Sequence, residues 1–223
     1  MELSEEQKVL MESHLDAVIK MNEKINLTRI VNRDSALVLH LEDSLSALEE
    51  FLTCPEGPYA DLGTGGGFPG ITLSIATGHE VLLVDSVAKK CRALDEIINQ
   101  LSLSDSISTY PKRIEELAVE KPKYFSVLTA RALSSLPSLL ELACPLLRQG
   151  GRLISYKGSN YQEELEQALG LEKKLAMHFV SQRSFQLSDG SPRTILVFEK
   201  CGKPKVKLPR RMGMAQKQPF MPA

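Results

Sequence analysis

Residues 61–71 read "DLGTGGGFPGI". The stretch leading into it, "YADLG" at 59–63, has the apolar texture of a short strand, and "GITLSIAT" at 70–77 that of a buried helix. A glycine-rich turn between a strand and a helix lets the backbone approach a ligand, and the helix N-terminus behind it favours negative charge. No Gly-Lys-Ser/Thr follows, which excludes a P-loop. A dinucleotide fingerprint spaces its glycines G-x-G-x-x-G. Here Gly63, Gly65 and Gly67 are spaced G-x-G-x-G, although Gly66 and Gly70 blur the count. Asp61 separates the readings further: beside a pyrophosphate its carboxylate is repelled, beside an ammonium attracted. Asp85 ends the next apolar strand, "EVLLVDS" at 80–86, where an acid can accept both hydroxyls of a ribose. Together Asp61, Gly63, Gly65, Gly67 and Asp85 favour S-adenosylmethionine, an adenosine with an α-ammonium, over a nicotinamide dinucleotide.

Working outward, the chain before the loop reads as helical. "SEEQKVLMESHLDAVIKMNEKI" opens with the capping-box spacing Ser4–Gln7, and "RDSALVLHLEDSLSALEEFL" at 33–52 is a second amphipathic stretch. After the loop the texture alternates. "VAKKCRALDEIINQLSL" predicts a helix, "SISTYPK" a strand and "YFSVLTARAL" another. "LPSLLELACPLLRQ" predicts a helix ended by Gly150-Gly151, "GRLISYKG" a fifth strand, and "YQEELEQALGLEKKLAMHF" one further helix. The pair "VSQRSFQL" and "RTILVFEK" follows without a helix between, so the last strand inserts antiparallel. The fold class is therefore α/β, Rossmann-like, a mostly parallel sheet with an antiparallel last strand and an N-terminal helical extension. The predicted division is 1–54 extension, 55–200 cofactor-binding core and 201–223 basic, Pro-rich tail.

Of 223 residues, 43% are hydrophobic, enough for one domain with a substantial core. The start, "MELSEEQKVL", lacks the layout of a signal peptide, and the longest uncharged run, 62–79, contains the glycine loop. No membrane partner is expected. Cys54, Cys91, Cys144 and Cys201 form no C-x-x-C pair and no metal-ligand spacing, as in a reducing cytoplasm. The net charge of −1 is uneven: Lys200 to Ala223 hold seven basic residues and no acid. That tail reads either as a solvated, Pro-interrupted end or as an arm for a phosphate backbone.

The methyl acceptor is approached through what is missing. Exocyclic-amine methyltransferases usually carry Asn/Asp-Pro-Pro-aromatic after the fourth strand, where this chain has "TARAL". Carbon-5 pyrimidine enzymes need a thiolate, and no cysteine lies near that strand end. An acceptor that is already nucleophilic remains; guanine N7 fits, because its lone pair carries no proton, but elimination does not select it. A small-molecule or protein acceptor, an NAD-dependent oxidoreductase and a non-catalytic RNA-binding protein stay as alternatives.

"NLTRI" at 26–30, "HLEDSL" at 40–45, "DLGTGGGFPGI", "LLVDSVAKKCRALDEI", "RIEEL" at 113–117, "TARAL" at 129–133 and "YKG" at 156–158 occur in that order. This ordered set resembles the ribosomal RNA small subunit methyltransferase G family, also called glucose-inhibited division protein B, over roughly residues 20–200. The resemblance implies transfer from S-adenosylmethionine to guanine N7 in 16S rRNA, in the helix 18 loop near the decoding site, with the small ribosomal subunit as partner, no DNA, and a monomer. It further implies cofactor contacts from Gly63, Phe68, Ile114, Glu115 and Arg131. His40 and Asp43, spaced i, i+3, line the RNA-facing side of the pocket with Arg131 as positioning candidates, and Lys157, Arg210 and Arg211 are RNA-binding candidates. Gly66 and Phe68 stand where many members have proline and leucine, and the tail reads Arg-Arg-Met at 210–212.

Overall fold

The structure, a computed structural model, describes residues 2–222. Helix α1 (Glu5–Asn22) starts at the expected capping box: Ser4 Oγ accepts from Gln7 N at 3.1 Å, and Gln7 Oε1 accepts from Ser4 N at 3.0 Å. The second helical stretch is α2 (Arg33–Ala36), a π-helical segment Leu37–Glu42, α3 (Asp43–Leu45) and, after a turn, α4 (Leu48–Leu52). The alternating part follows as β1 (Tyr59–Leu62), α5 (Gly70–Thr77), β2 (Val81–Val84), α6 (Ala88–Gln100), β3 (Ile107–Tyr110), α7 (Ile114–Glu120), β4 (Phe125–Arg131), α8 (Leu136–Ala143) and β5 (Leu147–Lys157). Then come α9 (Gln162–Leu169), α10 (Glu172–Leu175), β6 (Met177–Gln186), β7 (Pro192–Lys200) and a short α11 (Met214–Lys217).

The strands form one sheet in the order β3-β2-β1-β4-β5-β7-β6. Those from β3 through β5 pair in parallel, and β7 inserts antiparallel between β5 and β6 as the helix-free connection implied. Period-two alternation sorts the side chains. Tyr59, Leu83, Val127, Ile154 and Val197 join one core with α1, α5 and α6. Ala60, Leu62, Leu128, Leu153 and Phe198 join another with α7, α8 and α9. Among the described residues, no helix is long and apolar enough to cross a membrane.

Three local expectations are corrected. The helix anticipated up to Gly150 ends at Ala143, because Pro145 offers no N–H to the preceding turn, and Leu147 already pairs with Phe125. The single helix anticipated over 161–179 is two, broken at Gly170 and Leu171, and Ala176 takes a left-handed conformation that ends the second and turns the chain into β6. Residues 33–45 contain a π-turn that amphipathic spacing does not reveal.

Candidate active site

Ligands of open α/β sheets bind beyond the carboxyl ends of the strands, where the strand order reverses. Here that point lies at β1, with β2 on one side and β4 on the other. A cleft of about 160 Å³ opens there, lined by Gly63, Asp85, Ser86, Ile114, Glu115 and Leu133 among others. A larger depression, about 430 Å³, lies at the opposite ends of β1 to β4 and lacks the loop. Gly63 N and Thr64 N both donate to Val84 O, at 2.8 and 3.1 Å, which ties the loop to the end of β2. Gly63 has φ +71°, and a Cβ there would sit 2.6 Å from Leu133 Cδ1, so only glycine fits without a shift. Asp85 accepts from Val87 N at 2.8 Å and from Gly65 N at 3.3 Å while still lining the cleft. Ile114 and Glu115 open α7 across from it.

The other side of the loop is closed. Asp61 is fully buried: Oδ1 accepts from Thr129 Oγ1 at 2.7 Å and Oδ2 from Gly70 N at 3.1 Å. Because Thr129 spends its hydrogen on Asp61, Tyr59 Oη donates to Thr129 Oγ1 at 2.9 Å. Burial raises the Asp61 carboxyl above its ordinary value, and the Thr129 and Gly70 donors offset part of that. Asp61 lies beneath the loop and is not among the residues lining the cleft. Gly67 also faces inward, where a Cβ would be 2.6 Å from Ile71 Cδ1 and 3.0 Å from His14 Nε2. Phe68 is buried between His14 and His40, with ring centroids at 4.5 and 4.4 Å and the His40 ring stacked at 3°. In this structure its ring packs behind the loop, against the two histidines.

Arg131, His40 and Asp43 are brought together, on that closed side. Period two along β4 sends Arg131 to the same face as Val127 and Thr129, towards the N-terminal helices. Its Nη1 donates to Asp43 Oδ2 at 3.0 Å and to Leu39 O at 3.1 Å. The π-turn presents that carbonyl: Asp43 N–H, which an α-helix would direct to Leu39, bonds Val38 O and His40 O instead. Arg131 Nη2 donates to His40 Nδ1 at 3.3 Å, so the imidazole hydrogen resides on Nε2 and faces Thr28 Oγ1 at 2.8 Å. Burial, then the Arg131 charge, lowers the His40 pKa to about 3. His40 is a neutral, doubly engaged ring. Arg193 Nε donates to Asp43 Oδ1 at 2.7 Å, which leaves Asp43 bridging two guanidinium groups.

The RNA-binding candidates divide. Lys157 Nζ is held by Glu164 at 2.7 Å and Ser134 O at 3.0 Å, with its side chain 13% exposed, so it ties β5 to α9. Arg210 donates to both oxygens of Glu141, at 2.6 and 2.5 Å, and Glu141 is buried. This pair anchors the tail to α8. Arg211, its neighbour, is exposed.

Sequence reasoning missed Thr28, Arg193 and Gln216. Thr28 lies inside the quoted "NLTRI", so its signal was present. Arg193 opens "RTILVFEK" and shares the parity of Ile195 and Val197, which face the N-terminal helices. Gln216 lines the cleft from the tail, a return of the chain that no local pattern encodes.

The fold resembles solved methyltransferases. An O-methyltransferase from Bacillus cereus in complex with SAH superposes with TM-score 0.59 at 18% identity, covering 84% of this chain and 91% of that one. A geranyl diphosphate methyltransferase in complex with SAM gives TM-score 0.56 at 12% identity, covering 71% and 84%. Sheet order, loop and cleft thus define a class I S-adenosylmethionine-dependent methyltransferase fold. Residues 7–195 match the model of the family described as rRNA small subunit methyltransferase G, and the chain belongs to that family. Proteins named ribosomal RNA small subunit methyltransferase G from Streptococcus sanguinis and Desulfitobacterium hafniense are 34% and 36% identical to it. The first alignment covers 98% of this chain and 94% of the relative, the second 99% and 92%.

Proposed function

We propose that this chain methylates N7 of a guanine in the helix 18 loop of 16S rRNA, acting as a cytoplasmic monomer with S-adenosylmethionine as donor. The observation that carries the reading is the cleft at the switch point, with the Asp85 carboxylate at the end of β2 and the glycine turn beside it. The donor set suits the cofactor. Asp85 can accept from ribose hydroxyls, Ile114, Leu133 and Leu142 offer apolar walls to a flat adenine, and Gly63 brings bare backbone to the remainder. When bound, the cofactor supplies a sulfonium-activated methyl whose bonding pair stays with sulfur.

The chain's own task is then positioning, since N7 offers an unprotonated lone pair and needs no general base. A buried neutral His40 with both ring nitrogens engaged agrees with that economy. Its role is to hold Arg131, with Asp43 and Arg193, behind the loop. Exposed Arg113, which lines the cleft, and exposed Arg211 in the tail supply charge for phosphates. Residues 55–200 form the cofactor-binding core in this reading, with residues 1–54 bracing the loop and 201–223 bordering the cleft.

The test is methyl transfer from labelled S-adenosylmethionine to unmethylated small subunits and to naked 16S rRNA, followed by identification of the nucleoside. Appearance of 7-methylguanosine is the expected result. Binding of S-adenosylhomocysteine without any labelled RNA would leave the cofactor reading standing and remove the acceptor.

A further inference from the structure

The C-terminal segment is folded against the body on both sides of residue 216. Before it, Arg210 forks onto buried Glu141, and Gly213 N donates to Glu115 Oε1 at 2.7 Å. Within the short α11, Ala215 is buried and its carbonyl accepts from Ser138 Oγ at 2.7 Å. After it, Arg210 Nη2 donates to Gln218 O at 2.8 Å, and the Phe220 ring lies between Arg210 and Lys174, at 4.1 and 4.3 Å. These contacts leave Gln216 at the cleft that also holds Asp85, Ser86, Ile114 and Glu115. Its side chain is exposed, and among the described residues its amide makes no hydrogen bond.

From this geometry we propose that the C-terminal segment is a wall of the cofactor cleft and that the Gln216 amide recognises the edge of the adenine. The inference rests on the cofactor reading above and assigns the tail a task other than RNA binding. Asp85 at the end of β2 fixes the ribose end, and the cleft continues between Ile114 and Leu133 towards α11. An adenine edge presents an N6 donor beside a ring-nitrogen acceptor. A glutamine amide carries the matching acceptor and donor on one planar group. The Gly213–Glu115 bond joins this wall to the first turn of α7, so the segment and the far side of the cleft are held at a fixed separation.

The experiment is calorimetric titration of wild type and Gln216→Ala with S-adenosylhomocysteine and with its 1-deazapurine counterpart, in which hydrogen replaces the N6 amine and a C–H replaces N1. Gln216 is exposed, so the substitution leaves the packing intact, and circular dichroism checks this. The expected result is about tenfold weaker binding of S-adenosylhomocysteine by the variant, with little change for the deazapurine compound, whose edge offers neither group. Unchanged affinity for S-adenosylhomocysteine in Gln216→Ala, or an equal loss for both ligands, overturns the edge contact. Wild type that binds neither ligand overturns the cofactor reading and this proposal with it, a result distinguishable from a loss confined to the variant.

Discussion

The two sides of the glycine loop are built on opposite terms. On the side facing α1 and the π-turn, the charged and ring groups that brace the loop are partnered inside the protein: Asp61 with Thr129 and Gly70, His40 with Thr28 and Arg131, Asp43 with two arginines. On the side facing α7 and α11, Asp85 still lines open space, and Arg113 and Gln216 are exposed. Buried polar groups that are fully paired fix one arrangement of the backbone, and they have no capacity left for a ligand. The closed side is therefore the jig, and the open side is where a cofactor can exchange protein partners for its own.

The sharpest way to break that division is to fill the junction. Gly63→Asp places a side chain where φ is +71° and Leu133 Cδ1 lies 2.6 Å from the new Cβ, and it adds a charge next to Asp85. Titration with S-adenosylhomocysteine should show no binding; wild-type affinity would mean that the loop does not border the cofactor. Arg131→Ala attacks the jig instead. It leaves buried Asp43 with one guanidinium and exposes Leu39 O to nothing. Removing one partner of a buried pair costs about 3 kcal/mol, so the urea midpoint should fall clearly, and methylation with it. A variant as stable and active as wild type would remove Arg131 from the jig.

Much of this was legible in the chain. Strand-loop-helix texture located the loop, Asp85 followed from the end of β2, and the helix-free pair at the end announced the antiparallel β7. Which way Asp61 faces is not legible in the sequence, because one residue before a turn can point to either side of the sheet. Only the pairing of β1 with β4 brings Thr129 alongside Asp61 and closes it in. Arg210 and Lys157 looked like free cations for a comparable reason: their acids, Glu141 and Glu164, lie on helices whose distance no sequence pattern fixes. The π-turn was invisible because inserting one residue into a helical register changes no hydrophobic spacing that a short window can resolve.

Acid probes the jig more gently. Burial lowers the His14 pKa to about 4 and that of His40 to about 3. In the unfolded chain both take up protons near the ordinary histidine value of about 6.5, while the folded protein holds them neutral. Stability is thus fully present above that value and is lost as pH falls towards the folded values. Between pH 7 and 5 the loss amounts to roughly 2 kcal/mol per histidine by linkage. Urea unfolding at the two pH values measures it. His14→Gln should show a shallower dependence than wild type; an identical slope would mean that the buried rings do not govern it.

The smallest effect is expected where the same division recurs between two adjacent residues. Arg210 points inward onto Glu141, and Arg211 stands exposed one residue later. If the tail both walls the cleft and offers charge to RNA, the two duties fall on different side chains. Arg211→Ala should leave the urea midpoint and cofactor affinity unchanged, and should lower the slope of log RNA affinity against log salt by about 1. Arg210→Ala should do the reverse: it leaves Glu141 buried without its cation, loosens the segment carrying Gln216, and lowers stability and cofactor affinity before RNA affinity. A salt slope that falls equally in both variants would mean that Arg210 leaves Glu141 to meet phosphate, and that the inner anchor opens when RNA binds.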